Sequence, residues 1–253
     1  MATPTSRGAG LTVEFRGVWK AFGRLQVLAG LDLQIRPRET LTIIGGSGTG
    51  KTVILKLMVG LLKPEAGRIL VEDEDIVPLA EEQLTRVRRR IGFLFQGGAL
   101  FDSLSAGENV GYPLREHTRL DDAQIGARVR EVLGLVGLDG VEDKAPATLS
   151  GGMRKRVALA RAIALATDLI LYDEPTTGLD PQNAEKINEL IRDLQGKLGV
   201  TSVVVTHDMG SAFKVSDRIA MLLDGRVAAL GTPAELQQSA QEFVQDFIAG
   251  RIE

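Results

Sequence analysis

The chain contains no cysteine and only two histidines, His117 and His207. The first absence excludes disulfides, thiolate metal sites and cysteine nucleophiles; the second excludes a metal site built from several imidazoles. No apolar stretch reaches the ~18 residues that a membrane-spanning helix needs, because Lys51, Lys56, Arg161 and Asp168 interrupt the best candidates. The opening MATPTSRGAG lacks a hydrophobic centre, so no signal peptide is expected there. A basic excess is missing as well, since 30 Lys and Arg stand against 33 Asp and Glu for a net charge of −3. That balance argues against nucleic acid as a partner, because dedicated nucleic-acid binders carry a basic footprint. What is present is 253 residues, 44% hydrophobic and 25% charged, the composition of a soluble intracellular globular protein. The length suits one large domain, or one domain with a substantial subdomain.

Residues 1–10 are small and polar and read as a disordered tail. From Leu11, LTVEFRGV and LQVLAGLDLQIRP alternate like strands, and the apolar run Thr40 to Ile44 enters a glycine-rich loop followed by helically spaced TVILKLMVGLL. Another short strand is expected at Arg68 to Val71, and IGFLFQ reads as a buried strand after a charged segment. Residues 97–150 lack strong β runs, and DDAQIGARVREVLGLVGL has the 3.6-residue period of an amphipathic helix, so this stretch reads as a helical insertion. Alternation then resumes with helices at 152–166, 181–198 and 209–215 around the strands DLILYD and TSVVVTH. RIAMLLDGRVAAL reads as a hairpin turning at Asp224-Gly225. A single C-terminal helix is expected within 233–253, with Phe243, Val244, Phe247 and Ile248 as its apolar stripe. Alternating strands and helices predict an α/β fold with a mostly parallel sheet.

Three motifs carry chemistry. GGSGTGKT places Gly45, Gly46, Ser47, Gly48, Thr49, Gly50, Lys51 and Thr52 in the G-x4-G-K-[ST] spacing, after an apolar strand and before a helix. Such glycines let backbone N–H groups curl around an oligophosphate, and the helix dipole favours the same anion. Lys51 then reaches the β- and γ-phosphates, and the Thr52 hydroxyl can ligate Mg²⁺. DLILYDE delivers Asp173 and Glu174 at the end of an apolar strand. Taken alone, the pair would serve equally well as the acidic start of a helix before Pro175. Beside a phosphate loop it suits nucleotide hydrolysis, with Asp173 in the Mg²⁺ shell and Glu174 deprotonating the attacking water. LSGGMRKR opens a helix with Ser150, Gly151 and Gly152, a second set of anion-facing donors. One ATP does not need two such helix starts from one chain, but a head-to-tail dimer with two composite sites uses both.

With these motifs in this order, the chain resembles the ATP-binding cassette (ABC) ATPases from about Leu11 to Leu236. The resemblance implies a RecA-like parallel-sheet core with an antiparallel β subdomain over 11–96 and 159–232, and a helical signature subdomain over 97–158. It implies ATP hydrolysis with Mg²⁺ in a homodimer that drives a separate integral membrane permease, and hence a cytoplasmic location at the inner face of the cell membrane. By that resemblance Gln96 in FLFQ senses Mg²⁺ and the γ-phosphate. Likewise Asp180 in GLD belongs to the loop after the catalytic glutamate, and His207 in VVVTHD is the switch at the γ-phosphate. Phe22 in WKAFG falls where the family stacks a ring on adenine; Trp19 is the rival, and reads better as a core or surface residue.

The signature departs from the family pattern at Met153, where glutamine is usual. The same departure, with FQGGALFDSL, ENVGYPLREHT and LSGGMRKRVALARAIAL, resembles the subgroup paired with Mce-domain lipid carriers, to which the lipid-asymmetry transporters belong. That likeness implies phospholipid or related hydrophobic cargo and an Mce-domain partner. An importer of amino acids or other small solutes is the alternative, and a soluble cassette acting in assembly or repair is a lesser one. His117 and the run Arg86, Arg88, Arg89, Arg90 are expected to be solvated surface.

Overall fold

A computed structural model describes residues 10–251, so the tail expected at 1–10 lies, apart from Gly10, outside the described residues. The chain opens with strands β1 (Val13–Phe22), β2 (Leu25–Ile35) and β3 (Thr40–Ile44), then α1 (Lys51–Met58), β4 (Ala66–Val71) and β5 (Glu74–Asp75). It continues through α2 (Glu81–Arg88), β6 (Ile91–Leu94), α3 (Ala106–His117), α4 (Asp122–Leu135) and α5 (Gly151–Ala162). Alternation follows with β7 (Leu169–Asp173), α6 (Pro181–Leu198), β8 (Thr201–Val205) and α7 (Met209–Val215). The last elements are β9 (Arg218–Leu223), β10 (Arg226–Gly231), α8 (Pro233–Gln237) and α9 (Glu242–Ile248).

Two sheets result. An antiparallel sheet runs in the order β2-β1-β4-β5, and a six-stranded sheet in the order β10-β9-β3-β8-β7-β6. Strands β6, β7, β8, β3 and β9 are mutually parallel, and β10 closes the edge as the antiparallel arm of the expected hairpin. Every residue of β3, β7 and β8 is buried, as a sheet covered on both faces requires. Successive side chains of these strands enter opposite cores because a strand has a period of two. Leu169, Leu171, Val203 and Val205 join the core under the antiparallel sheet and α1. Ile170, Tyr172 and Val204 join the core beneath α3 to α6.

Local chemistry sets the helix boundaries. Ser105 with Glu108, and Asp121 with Gln124, form capping boxes that start α3 and α4. The helix expected at 152–166 spans Gly151–Ala162. It stops there while Arg128 of α4 donates to Ile163 O and Ala164 O, both at 3.1 Å, satisfying carbonyls that a helix end leaves open. The helix is continuous across residue 158, where the helical signature subdomain was expected to end, and packs against α3, α4 and β6 together.

The single helix expected within 233–253 is two short ones. The chain breaks after α8, and Gln245 of α9 reaches back to Leu236 O, Gln237 O and Ser239 O at 3.2, 3.1 and 3.0 Å. Val244 is buried, and Phe243, Phe247 and Ile248 pack around it against Ile44, Ala212, Ile219 and Met221, so the apolar stripe docks within the chain. No helix among the described residues is long and apolar enough to cross a membrane.

Candidate functional site: a phosphate cleft at the strand ends

Ligands of open parallel sheets bind beyond the carboxyl ends of the strands, and here four strand ends deliver the candidate residues. β3 leads into the glycine loop, β6 into Gln96, β7 into Glu174, and β8 into Thr206 and His207. Between them lies a cleft of about 460 Å³ whose lining includes Phe22, Ser47, Lys51, Gln96, Glu174 and His207.

The loop from Gly45 to Gly50 has little room at its two ends. A Cβ on Gly45 would stand 2.7 Å from Leu222 O. Gly50, at φ +101°, would place one 2.6 Å from Val27 Cγ1. Lys51 is buried and folds back along the loop, donating from Nζ to Gly45 O at 2.8 Å and Gly46 O at 2.7 Å. Thr49 Oγ1 donates to the same Gly46 oxygen at 2.9 Å. Burial lowers the Lys51 pKa, and the charges of Glu174 and Asp173 act against that shift. Lys51 is thus a desolvated cation resting on main-chain oxygens, and those acceptors are exchangeable for an incoming oligophosphate.

Thr52 Oγ1 donates to Asp173 Oδ1 at 2.9 Å. Burial raises the Asp173 pKa, and the Thr52 hydrogen bond opposes it. A hydroxyl and a carboxylate side by side are the hard oxygen donors Mg²⁺ prefers, few in number because the ion keeps water and phosphate as its other ligands. The donor set therefore fits a nucleotide-borne Mg²⁺. No cluster of three or more His, Cys, Asp or Glu capable of holding a metal alone occurs among the described residues.

Glu174 follows β7 at φ +49°, a left-handed conformation uncommon for a non-glycine residue, and its N–H donates to Val205 O at 2.9 Å. Its nearly buried carboxylate accepts from Thr177 Oγ1 at 3.0 Å and lies 3.0 Å from His207 Nδ1. The His207 ring is two-thirds exposed at the cleft rim. A carboxylate aimed into a phosphate cleft by a hydroxyl and an imidazole is placed to accept a proton from water.

Not every candidate reaches this cleft. Ser150 caps α5, accepting from Met153 N at 3.2 Å. Asp180 caps α6, accepting from Gln182 N at 3.1 Å and Asn183 N at 3.0 Å. The two helix starts touch, since a Cβ on Gly152 would sit 3.0 Å from Asn183 Oδ1. Ser150, Gly151, Gly152 and Asp180 are all absent from the cleft lining. The candidates thus divide into those that line the cleft or, like Gly45, Gly46, Thr49 and Asp173, adjoin its lining through the glycine loop and Thr52, and a separate pair of helix N-termini.

The pattern of strands, loop and cleft is that of a known family. The family model described as "ABC transporter" matches residues 28–177, more than half of the chain. The chain belongs to the ABC transporter family. It is an ATPase of that family, with the α/β nucleotide-binding fold expected from its motifs. It is 40% identical over 242 residues to the probable ribonucleotide transport ATP-binding protein mkl of Mycobacterium leprae, covering 96% of this chain and 70% of that protein. It is 45% identical over 220 residues to the intermembrane phospholipid transport system ATP-binding protein MlaF of Haemophilus influenzae, covering 87% and 83%. The sulfate/thiosulfate import ATP-binding protein CysA of Xylella fastidiosa is 41% identical over 240 residues, covering 93% and 68%. A dimeric post-hydrolysis structure of the ATP-binding cassette MJ0796 with ADP and Pi superposes with a TM-score of 0.81 at 35% identity, covering 87% of this chain and 98% of that one.

Within this ABC cassette, His117, Arg86 and Arg89 are exposed, as expected of solvated surface, and Arg88 and Arg90 are half-buried. The arginine run is engaged, not free: Arg86 pairs with Glu74, Arg88 with Glu81 and Val59 O, Arg89 with His117 O, and Arg90 with Asp168 and Glu72. Trp19 packs on Gly30, while Phe22 stands at the cleft, 47% exposed. Met153 is half-buried against the helical core. Sequence reasoning missed Lys155, which is 6% exposed and bonded to main-chain oxygens of Gln96 and Glu174. The available signal was a lysine three residues from Gly152 and from Ala158, on the apolar face of an amphipathic helix.

Proposed function

We propose that the chain is the ATPase subunit of a transporter that moves phospholipid or a related hydrophobic cargo, acting as a head-to-tail homodimer on a separate integral membrane permease. The observation that carries the dimer is the division of the candidate residues. One set gathers in the cleft, and Ser150 to Gly152, with Asp180, stands apart as a second anion-facing surface. In the dimer each chain's Ser150 surface meets the γ-phosphate held by the other chain's Lys51. ATP then favours the closed pair because its γ-phosphate touches both chains, whereas ADP cannot bridge them.

In this reading the glycine-loop amides and Lys51 cradle the phosphates, and Phe22 stacks on the adenine. Thr52, Asp173 and Gln96 would hold Mg²⁺. When bound, the ion neutralises charge on the β- and γ-phosphate oxygens. Glu174 takes the proton of the attacking water, and His207 and Thr177 fix its carboxylate.

An aromatic groove supports the permease. Beside the loop after Gln96, a depression of about 540 Å³ is lined by Phe93, Phe95, Phe101 and Tyr112, with Arg88 and Arg161 at its sides. The Phe101 and Tyr112 rings lie 5.1 Å apart and are both more than 40% exposed. A permease segment seated there would place the chain at the cytoplasmic face of the inner membrane. The relatives' names point to phospholipid, ribonucleotide and sulfate, and phospholipid is favoured by Met153 and by the 45% identity to MlaF. An Mce-domain lipid-binding protein is then the expected further partner. The test is to purify the tagged chain from its native membranes in a mild detergent. Co-purification of a permease and an Mce-domain protein supports the reading, and a solute-binding importer complex overturns the cargo.

A further inference from the structure

The loop that follows β6 is fastened to α5 by more than packing. Lys155 is buried on α5, and its Nζ donates to Gln96 O and, at 3.2 Å, to Glu174 O. One ammonium thus spans the ends of β6 and β7, which carry two of the cleft's polar side chains. One turn further on, Ala158 backs Gly98, where a Cβ would stand 3.5 Å from Ala158 Cβ. Arg161 then donates to Gly98 O at 2.9 Å and Ala99 O at 2.7 Å. Residues 155, 158 and 161 are spaced by three and share one helix face. They hold residues 96–99, whose last two members have left-handed φ values of +78° and +50°.

We propose that Lys155 is a positioning residue that locks the Gln96 loop and the Glu174 turn to α5, so that both side chains move with the helix whose first turn carries Ser150. Five residues separate Ser150 from Lys155, a rise of about 7.5 Å along an α-helix. In the head-to-tail dimer, the phosphate facing Ser150 belongs to the partner's nucleotide, while Gln96 and Glu174 serve this chain's own. Lys155 therefore joins the two sites through one rigid rod. Arg161 extends the hold to the aromatic groove, where its guanidinium lies 5.9 Å from the Phe101 ring. The ammonium is suited to this because both acceptors are carbonyl oxygens on different strands, and a compact multi-proton donor serves them at once. Burial depresses its pKa, while the charges of Asp173 and Glu174 favour the protonated form.

The inference rests on the proposed roles of Gln96 and Glu174, and the experiment separates the two. Lys155→Met keeps the length and removes the donors; Lys155→Gln is the second variant should the first not fold. Amide hydrogen exchange of the nucleotide-free chain is followed by mass spectrometry. Exchange across 95–101 should accelerate about tenfold or more, with residues 106–117 and 122–135 unchanged, as expected for opening of one local unit. The kcat for ATP should fall about tenfold with ATP affinity within about twofold, the split of a misplaced catalytic group and not of lost binding. Lys155→Arg, which keeps the charge but spreads its donors over a larger planar fork, should recover only part of both. Uniformly faster exchange in all the helices, or wild-type exchange and kcat in a folded donorless variant, would overturn the proposal. A wild-type chain without ATPase activity would instead sink the reading of the cleft, while the exchange measurement still judges Lys155.

Discussion

Replacing the glycines of the phosphate loop one at a time separates backbone strain from ligand contact. Gly50 carries two restraints: φ is +101°, where a side chain is strained, and a Cβ would lie 2.6 Å from Val27 Cγ1. Left-handed backbone costs an L-residue about 1–2 kcal/mol, and forcing a methyl into a filled site about 1–3 kcal/mol more. Gly50→Ala should therefore lose about 2–5 kcal/mol, which at about 2–4 °C per kcal/mol for a chain of this size is a Tm lower by about 4–20 °C. Gly48 has φ +77°, but a methyl there would meet no atom within 4 Å, so only strain applies. Gly48→Ala should lose about 1–2 kcal/mol and roughly 2–8 °C. Since Gly48 lines the cleft, its methyl should still weaken ATP binding out of proportion to the small loss of stability. Gly196 on α6 has neither restraint, and Gly196→Ala should gain about 0.5–1 kcal/mol, calibrating the series. Thermal melts and equilibrium ATP titrations of the three variants test this order. A Gly50→Ala protein melting with Gly48→Ala would show that the contact with Val27 does not restrain the loop.

Glu174→Gln should keep ATP binding, slow hydrolysis by about 10²–10⁴ and hold the closed dimer on a sizing column with ATP; turnover at the wild-type rate would move the base elsewhere. Ser150→Arg and Lys51→Ala should each be inactive alone, and mixing them should restore partial ATPase activity through the one site with both halves intact. A wild-type rate in Ser150→Arg alone, independent of protein concentration, would refute the composite site. Burial raises the Asp173 pKa, so its contribution to stability is present below its unfolded value of 3.8 and lost as pH rises through the folded value. Asp173→Asn should therefore melt higher than wild type near neutral pH without nucleotide, with the advantage shrinking as pH falls towards 4; a gain that grows in acid contradicts the sign.

Most of the fold is legible because its periodicities are strong. Thr40 to Ile44, Leu169 to Asp173 and Thr201 to Val205 are short runs bounded by turn residues, and each is a fully buried strand. Asp224 and Gly225 announce their hairpin through a turn that needs positive φ twice, observed at +48° and +72°. The C-terminal break is not legible, because nothing in QQSA stops a helix as proline or glycine would. Tertiary docking of Val244 and the three Gln245 bonds outweigh propensity there. The arginine run is solvated at Arg86 and Arg89, as expected, but its partners are not legible. Charge patterning along one segment shows neither that Asp168 lies beside Arg90 nor that the Val59 carbonyl lies beside Arg88. Chemistry-bearing motifs are visible because their spacing is local. Lys155 escapes because its two partners come from loops 59 and 19 residues away.

The position of β3 in the middle of the parallel sheet also governs the order in which the protein can be made. Its neighbours are β8 and β9, and Leu11 just ahead of β1 exchanges hydrogen bonds with Thr201 across 190 residues. At roughly 5–20 residues per second of synthesis, the phosphate loop and its strand therefore emerge about 10–40 s before the segments that bury them. Until then β3 offers the apolar face of Leu41 and Ile43 and two unpaired edges to whatever is nearby. A nascent chain paused before residue 200 should accordingly be a holdase client, and full-length synthesis should release it in a single late step.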